Sequence, residues 1–454
     1  GNSAEQGYNQ SRIENIPGDI LAYDKSTGEF KWKFNVIPKP GEYGHETWEN
    51  DAWQWTGDVS SWAPISADIE NDLVYIPTNG ATIDYYGGFR PGDNLFGTSL
   101  IALKASTGER AWHFQTVHHD IWNYDNPMAP VLLDLNVPGQ GEVPAVMQVT
   151  KQSFVYAFNR LTGEPIWPII ERPVPQSTVP GEVLSETQPF PTKPEAFDLQ
   201  GVSIDDLIDW TPEIRQQAIN AFADYQMGPL FNPPIQRGHE SGKRAAMFCP
   251  GGGGGANITS PSVADPNTGY LFVSSRAACS PIVLVPGEEA DLQYELPTGT
   301  TYSQYASGPG AGAPRHPLGI PLFKPPFSRI TAIDMNTGEH AWVIPTGETP
   351  ARVQEVIDDN NLDVENTGTG ALVPMVVTPS MLVYSDTRTD GTPMLYAVDK
   401  STGETVGSIE VPDRSRYGMS SWTHDGHQYI MLQTGSKLTA VALPAAKPAE
   451  TGYH

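Results

Sequence analysis

The sequence predicts an all-β protein built as a β-propeller, in which four-stranded antiparallel sheets, the blades, are arranged in a ring. Three observations support this prediction. A pattern of eleven residues recurs five times, with alanine at its start, Thr-Gly-Glu at its turn and, in four copies, tryptophan at its end. Apolar runs typical of β-strands flank each copy. The chain has 454 residues with 44 glycines and 42 prolines, a composition rich in turns.

Each copy of the repeat predicts a β-hairpin, because the glycine of Thr-Gly adopts the positive φ of a tight turn without steric cost. A second hairpin is predicted upstream of several copies, for example residues 63–67 with residues 73–77, and two hairpins make one four-stranded blade. We expect each tryptophan to pack between adjacent blades and to hold them together. The copies are residues 22–32, 102–112, 157–167, 332–342 and 397–407.

The third and fourth copies begin at Ala157 and Ala332, and this long gap predicts an insertion at about residues 171–256. Its first part, residues 173–194, is rich in proline and predicts an extended surface loop. A short helix is predicted next, with Thr211 as N-cap, proline at the first helical position and an end at about residue 225. Three apolar residues share one face of this helix and predict that it packs on the ring, namely Ile214, Ala218 and Phe222.

The repeats predict a single propeller domain over residues 1–454, although the length alone allows two or three domains. The chain opens on the second half of a blade and closes with about three strands in residues 419–443. Counting the predicted hairpins gives about four complete blades, with partial blades at both ends.

Composition and charge exclude several classes of protein. The chain has 27 Lys and Arg against 53 Asp and Glu, a formal charge of −26 that repels nucleic acids and anionic membranes, so we expect no nucleic-acid partner. No run approaches the roughly 18 apolar residues of a membrane-spanning helix. The sequence lacks a Cys-x-x-Cys-His haem attachment motif. Its two cysteines, Cys249 and Cys279, form one disulfide in an oxidising compartment or remain buried thiols in a reducing one.

Five segments between the repeats make the pattern more specific. They are W-E-N-D-A-W-Q-W-T-G from Trp48, D-Y-Y-G-G from Asp84, V-H-H-D-I-W-N-Y-D from Val117, R-P-V-P-Q from Arg172 and Q-P-F-P-T-K-P from Gln188. Together with the repeats they resemble the quinoprotein dehydrogenases that use pyrroloquinoline quinone (PQQ). Within that family, the chain is most similar to the membrane-type glucose and quinate dehydrogenases and their soluble relatives. The resemblance covers essentially the whole chain.

This resemblance implies a cofactor and a reaction. The family forms an eight-bladed propeller with PQQ on its axis, stacked over a tryptophan floor and bound to Ca²⁺ or a lanthanide. It implies a periplasmic or secreted dehydrogenase that oxidises a small-molecule alcohol, sugar or cyclic polyol. The electrons would pass to a cytochrome c or a quinone. The periplasmic location implied by the family favours the disulfide between Cys249 and Cys279.

The resemblance also bears on the number of blades. Eight blades need a longer chain than this one, so the chain resembles the C-terminal five or so blades of a quinoprotein propeller and lacks N-terminal blades. We therefore expect that it is part of a larger propeller, completed by a missing N-terminal part or by a second chain. The alternative is that its partial end blades join and close a smaller ring of five or six blades.

Three residues match cofactor-binding positions of the family. Trp62, in S-S-W-A-P-I-S, matches the floor tryptophan, and its alternative is an ordinary core tryptophan between blades. Lys151, in K-Q-S-F-V-Y, matches the lysine that contacts the quinone oxygens, with a surface lysine as the alternative. Asn257 follows five consecutive glycines and resembles the family's asparagine near the quinone. Glycines let the backbone approach a flat ligand, although a flexible loop explains them as well.

The predicted metal and catalytic positions are less regular. Glu5 lies close to the place of a metal-binding glutamate, and Asn79, next to Gly80, lies near that of a metal-binding asparagine. The family's catalytic base is an aspartate, but this chain has Asn123 there, and an amide does not accept a proton as a carboxylate does. Asp125, two residues on, points the same way in an extended segment, so it is a candidate metal ligand and a candidate base.

Two further interpretations of the sequence concern histidines and the absence of catalysis. The adjacent His118 and His119 resemble metal ligands, but neighbouring residues of a strand face opposite ways, so we expect hydrogen bonds and no shared metal. The substitution at Asn123 supports an alternative function, a non-catalytic or degenerate propeller that acts as a binding or scaffold protein. A propeller glycosidase or lyase requires paired axial carboxylates, for which the sequence shows no distinctive signature.

Overall fold

The computed structural model describes residues 17–54, 56–82, 84–251, 255–286, 302–304 and 312–442. The first sheet pairs β1 (Ile20–Tyr23) with β2 (Phe30–Phe34). The second has four antiparallel strands, β3 (Ser66–Asp68), β4 (Leu73–Pro77), β5 (Ser99–Lys104) and β6 (Arg110–Gln115). The third has three, β7 (Val131–Val137), β8 (Gly141–Val149) and β9 (Val155–Asn159).

The middle of the chain contains the insertion and, after it, the sheet with the fourth copy of the repeat. Its elements are β10 (Ile169–Pro173), β11 (Thr187–Pro191), α1 (Pro212–Phe222), β12 (Tyr225–Gln226), β13 (Ile235–Gln236) and β14 (Ala245–Phe248). They are followed by β15 (Val263–Asp265), β16 (Tyr270–Arg276), β17 (Ser280–Pro286), β18 (Tyr302–Gln304), β19 (Ser328–Asp334) and β20 (Glu339–Pro345). Strands β15, β16, β19 and β20 form a four-stranded antiparallel sheet.

The last part of the described chain contains one helix and two sheets. Helix α2 spans Ala351–Asp359 and was not predicted from the sequence. A four-stranded sheet follows, with β21 (Met375–Val377), β22 (Met381–Thr387), β23 (Pro393–Asp399) and β24 (Thr405–Glu410). The final sheet has the three expected strands, β25 (Ser420–His424), β26 (His427–Thr434) and β27 (Lys437–Ala442). Among the described strands, no hydrogen-bonded pair joins this sheet to the first one.

Four of the five repeat copies form the predicted hairpins, namely β1–β2, β5–β6, β19–β20 and β23–β24. In each of these hairpins the first alanine pairs with the last residue of the copy, and a bulge follows. The turn glycines of all five copies have φ between +72° and +81°, as the sequence predicts. These regular hairpins confirm the all-β propeller architecture, with three of the repeat-bearing sheets having four strands.

The third copy departs from the prediction. Its second arm forms no strand: it makes an isolated bridge between Phe158 and Pro165, the Ile166 amide donates to the Ala157 carbonyl at 2.9 Å, and the Glu164 carbonyl accepts from the Asn159 amide at 2.8 Å. The physical reason is Pro165, which has no backbone N–H to give to a strand ladder. At this copy the predicted turn forms but the predicted second strand is wrong, and the third sheet has three strands instead of four.

The repeat tryptophans pack against the turn glycine of the next copy. A Cβ atom built on Gly163 would lie 2.7 Å from the ring of Trp112, so the turn glycine also makes room for the indole. The Trp112 Nε1 donates to the Arg160 carbonyl at 2.9 Å, in the same turn. Trp167 packs on Gly338 in the same way, across the whole insertion, so the third and fourth copies are direct neighbours. The remaining pairs are Trp32 with Gly108 and Trp342 with Gly403.

The insertion is more ordered than its composition indicates. Its proline-rich part was predicted as an extended loop, but β11 pairs there with β10, which corrects that prediction over five residues. Helix α1 begins as expected, because the Thr211 Oγ1 accepts from the Ile214 amide at 3.2 Å, and its three predicted apolar residues are buried. It ends at Phe222, since Tyr225 joins a mixed sheet in which β12 and β13 run parallel to their neighbours.

Two further sequence inferences concern the cysteines and membrane helices. Cys249, directly after β14, and Cys279, directly before β17, form a disulfide with their Cα atoms 4.5 Å apart. Of the two alternatives left by the sequence, disulfide or buried thiols, the structure therefore has the disulfide. It links the ends of β14 and β17, the two central strands of the mixed sheet that contains β12 and β13. Within the described residues, neither α-helix is long and apolar enough to cross a bilayer.

Candidate active site

The candidate site is built on the loop after β6, and the buried Asp120 sets the shape of this loop. The Oδ1 of Asp120 accepts from the Trp122 amide at 2.8 Å, and its Oδ2 accepts from the Tyr124 amide at 3.0 Å. The Thr98 hydroxyl donates to the same Oδ2 at 2.8 Å. Burial, with the nearby charge of Asp125 as a second cause, raises the pKa of Asp120. Asp120 therefore fixes the conformation of this loop.

Lys151, two residues after β8, joins the predicted catalytic residues in one cluster. Its Nζ donates to the Asn123 carbonyl at 3.0 Å, to the Asn123 Oδ1 at 2.5 Å and to the Asp125 Oδ2 at 2.8 Å. These three contacts use all three protons of an ammonium group. The lysine is buried, so the alternative of a surface lysine is wrong, and the structure brings Asn123, Asp125 and Lys151 together.

Asp84 completes this cluster and was missed from the sequence. Its Oδ2 accepts a hydrogen bond from the Asn123 Nδ2, so the Asn123 amide bridges the cation of Lys151 and the carboxylate of Asp84. Asp84 is buried, and its charge, after burial itself, contributes to raising the pKa of the neighbouring Tyr85. The motif D-Y-Y-G-G was noticed, but nothing in its spacing indicates which loop, 39 residues away, its acid meets.

Trp62 lies beside the same lysine. The Lys151 Nζ is 5.6 Å from the centroid of the Trp62 ring, within the range of a cation–π contact. Trp62 is 36% exposed, which distinguishes it from the buried Trp112 between blades and leaves part of its surface available to a ligand. The Gly255 amide donates to the Lys151 carbonyl at 3.1 Å, so the last of the five consecutive glycines lies next to the backbone of Lys151.

The remaining predicted residues lie around this cluster or outside the described chain. The Asn257 Oδ1 accepts from the Ile258 amide at 2.8 Å, two residues beyond Gly255. The Asn79 Oδ1 accepts from the Ser60 amide at 2.5 Å, while the next amide, that of Gly80, donates to the Asp125 Oδ1 at 3.1 Å. The loop after β4 therefore contacts Asp125 through the Gly80 amide and not through the Asn79 side chain. The predicted ligand Glu5 lies outside the described residues.

The cluster offers the type of oxygen ligand that a hard cation binds, but fewer of these ligands than Ca²⁺ needs. Carboxylate and amide oxygens, such as those of Asp84, Asn123 and Asp125, are the ligands that Ca²⁺ prefers, and Ca²⁺ takes six to eight of them. Within the part of the chain that the structure describes, no group of three or more His, Cys, Asp or Glu residues is arranged to hold a metal. Further oxygens must therefore come from a cofactor or from elsewhere in the protein.

The two histidines of the loop make hydrogen bonds, as predicted. The His118 ring lies 2.8 Å from the Gln115 Oε1 and 3.1 Å from the exposed Glu171 Oε1. His119 points the other way, with its Nε2 2.9 Å from the Oε1 of Glu182, and both side chains of this pair are buried. The two imidazole rings therefore have different hydrogen-bond partners.

A family model described as "PQQ: Glucose/ethanol/alcohol dehydrogenase, beta-propeller domain" matches residues 2–430. The chain is 31% identical to the quinate/shikimate dehydrogenase (quinone) of Acinetobacter baylyi, over 92% of this chain and 52% of that protein. It is 30% identical to the glycerol dehydrogenase large subunit of Gluconobacter oxydans, over 92% and 57%. It is 29% identical to the quinoprotein glucose dehydrogenase of Escherichia coli, over 92% and 52%. The chain thus spans about half the length of these relatives.

Solved structures show the same fold. The quinohemoprotein alcohol dehydrogenase from Comamonas testosteroni superimposes with a TM-score of 0.58 at 19% identity, covering 94% of this chain and 53% of that one. A europium-containing methanol dehydrogenase gives a TM-score of 0.58 at 20% identity, covering 94% and 62%. At these identities the similarity supports the propeller fold alone.

Proposed function

Because this chain belongs to the PQQ-dependent glucose/ethanol/alcohol dehydrogenase β-propeller family, we propose that it oxidises an alcohol, sugar or cyclic polyol with PQQ as cofactor. The observation that carries this proposal is the position of Lys151, whose buried ammonium group lies between the exposed Trp62 ring and the Asn123–Asp125 pair. The names of the three relatives, which refer to quinate or shikimate, glycerol and glucose, support a polyhydroxylated substrate.

The residues present fit PQQ, which is a planar aromatic tricarboxylate. A flat ring system needs an aromatic face, which Trp62 offers, and its oxygens need a cation or hydrogen-bond donors, which Lys151 offers. Asn257, beyond Gly255, is the third residue proposed to contact the cofactor. When bound, PQQ supplies the redox chemistry by accepting two electrons from the substrate.

The chain's own residues are proposed to handle the proton. Asn123 is an amide and does not act as a base, so we assign the acceptance of the alcohol proton to Asp125, which Lys151 holds beside the cofactor position. Oxygens of Asp84 and Asn123 would bind the accompanying Ca²⁺ or lanthanide. Glu5 and Asn79 stay as predicted additional ligands, and a bound cation would stabilise negative charge that develops on a reacting oxygen.

The proposal includes an electron acceptor and a location. The sequence has no haem attachment motif, so the electrons would leave to a separate cytochrome c or to a quinone. A periplasmic or secreted location agrees with the disulfide between Cys249 and Cys279, because such bonds persist in oxidising compartments.

Titration with PQQ in the presence of Ca²⁺ or La³⁺, followed by isothermal calorimetry, tests the cofactor. We expect saturable binding of one PQQ per chain, and at least tenfold weaker binding for Trp62→Ala because the stacking surface is removed. Trp422→Ala, which changes another partly exposed tryptophan in the last sheet, is the control and should bind as the wild type does. If the wild-type chain binds no PQQ with either metal, the proposed function is wrong.

Asn123→Asp is expected to raise the turnover of a dye-linked alcohol oxidation at least tenfold. The new carboxylate supplies a proton acceptor at the position of the family's base, beside Lys151, whose Nζ contacts the Asn123 Oδ1 in the wild type. Asn123→Ala, which removes the amide without adding a base, should not gain activity. No gain for Asn123→Asp, with PQQ still bound, favours the second function.

That second function is a non-catalytic quinoprotein-like propeller that binds a ligand or partner without turnover. The one observation in its favour is Asn123, which occupies the position of the family's base with a group that does not accept a proton. The intact Lys151–Asp125 ion pair, at 2.8 Å, supports the enzymatic proposal instead.

A further inference from the structure

The insertion reaches the candidate site through one buried carboxylate, that of Glu182. Its Oε2 accepts a hydrogen bond from the Gly87 amide at 2.5 Å, in the loop that carries Asp84. Its Oε1 lies 2.9 Å from the Nε2 of His119, in the loop that carries Asn123 and Asp125. A single side chain from the insertion thus contacts both loops from which the acids of the site come.

The local packing is shaped around this contact. A Cβ atom on Gly87 would lie 2.4 Å from the His119 Nε2, so only glycine lets the two loops approach each other at this point. The Tyr86 hydroxyl donates to the Pro180 carbonyl at 3.2 Å, which is a second hydrogen bond between the insertion and the same loop. His119 itself has a φ of +47°, an unusual backbone conformation that the surrounding contacts maintain.

Hydrogen bonds hold both His119 and Glu182 in place. The Nδ1 of His119 lies 2.7 Å from the Gly92 carbonyl, which only accepts, so this nitrogen carries a proton. Burial raises the pKa of Glu182, but the hydrogen bonds that Glu182 makes with His119 and with the Gly87 amide outweigh this effect and keep its pKa below the usual value. Both carboxyl oxygens of Glu182 thus have a partner, one in each of the two loops.

We infer that Glu182 is a positioning residue of the proposed active site. It clamps the loop of Asp84 to the loop of Asn123 and Asp125, and His119 passes this constraint to Asp120, the adjacent residue that folds the second loop. The inference rests on the proposed function for its catalytic consequence, whereas the clamp itself is a property of the cofactor-free protein.

Hydrogen–deuterium exchange of the cofactor-free protein tests the clamp. The informative amides are those of Trp122 and Tyr124, which bond to Asp120 and do not touch Glu182. We expect Glu182→Ala to speed their exchange at least tenfold and to lower kcat/KM about 100-fold, mainly through kcat. Glu182→Gln is expected to restore slow exchange and most of kcat. Its carbonyl accepts from the Gly87 amide and its NH₂ donates to the Nε2 of a neutral His119.

Glu171→Ala is the matched control, because it removes the exposed carboxylate that meets the neighbouring His118 and leaves both loops otherwise unchanged. It should leave exchange and kcat at wild-type values. Unchanged exchange of the Trp122 and Tyr124 amides in Glu182→Ala overturns the inference, and so does failure of Glu182→Gln to restore it. Absence of PQQ binding by the wild type, with exchange responding as expected, contradicts only the proposed function.

Discussion

Lys151→Met is expected to abolish measurable PQQ binding and to lower the free energy of unfolding by about 3–5 kcal/mol. The substitution keeps the length and apolar character of the side chain but removes the charge. Among the described residues, it leaves the buried Asp125 with only the Gly80 amide as a partner, at 3.1 Å, and breaking a buried ion pair on one side is costly. It also removes the only ammonium group beside the Trp62 ring among the described residues. Urea unfolding and calorimetric titration measure the two effects.

The double variant Lys151→Met/Asp125→Asn separates stability from binding. The asparagine removes the unpaired charge and still accepts from the Gly80 amide, so most of the lost stability should return. PQQ binding should stay absent, because the cation is still missing. If either variant binds PQQ as tightly as the wild type does, Lys151 is not a cofactor contact and its role is structural.

Trp112→Ala is expected to lower the free energy of unfolding by about 3–5 kcal/mol, the usual cost of removing a large buried aromatic side chain. The ring lies 6.0 Å from that of Tyr75 and 5.7 Å from that of Phe158, and it covers the Gly163 turn of the next sheet. The variant also loses the hydrogen bond to the Arg160 carbonyl. Urea denaturation followed by circular dichroism measures the loss.

Trp422→Ala provides the comparison for this effect. Trp422 is 37% exposed and stacks on Tyr429 within one sheet, with ring centroids 5.1 Å apart, so its removal should cost well under half as much. Equal losses for Trp112→Ala and Trp422→Ala would show that the contact between sheets has no special weight. A loss below about 1 kcal/mol for Trp112→Ala would have the same meaning.

The repeats could be predicted because all their determinants are local. Alanine, the turn glycine and tryptophan lie within eleven residues, and the hairpins form where those residues occur. The exception, at Pro165, is also local and was visible in the sequence, but the strength of the repeat outweighed the missing N–H. In contrast, β12 and β13 have two residues each and pair with strands distant in the chain, so no periodicity indicated them.

The residues of the candidate site likewise fall into those that the sequence predicted and those that it did not. Asn123, Asp125 and Lys151 were predicted together from motif resemblance, and the structure shows the three in contact. Asp84 and Glu182 were not predicted, because the contacts that join them to the site are long-range and leave no spacing pattern in the sequence. Burial of a charged residue is the signal that identifies such residues, and only a three-dimensional structure supplies it.

The four tryptophan–glycine contacts have a direction: in each of them, the indole of one repeat copy covers the turn glycine of the next copy along the chain. Such an asymmetric junction extends by simple addition of further copies, as in linear repeat arrays where each unit is coupled to its immediate neighbours. The fifth copy ends with Gly407 in place of tryptophan, and its strand β24 is exposed throughout. Among the described residues, the series of tryptophan–glycine contacts therefore ends at the fifth copy, where this one side chain is absent.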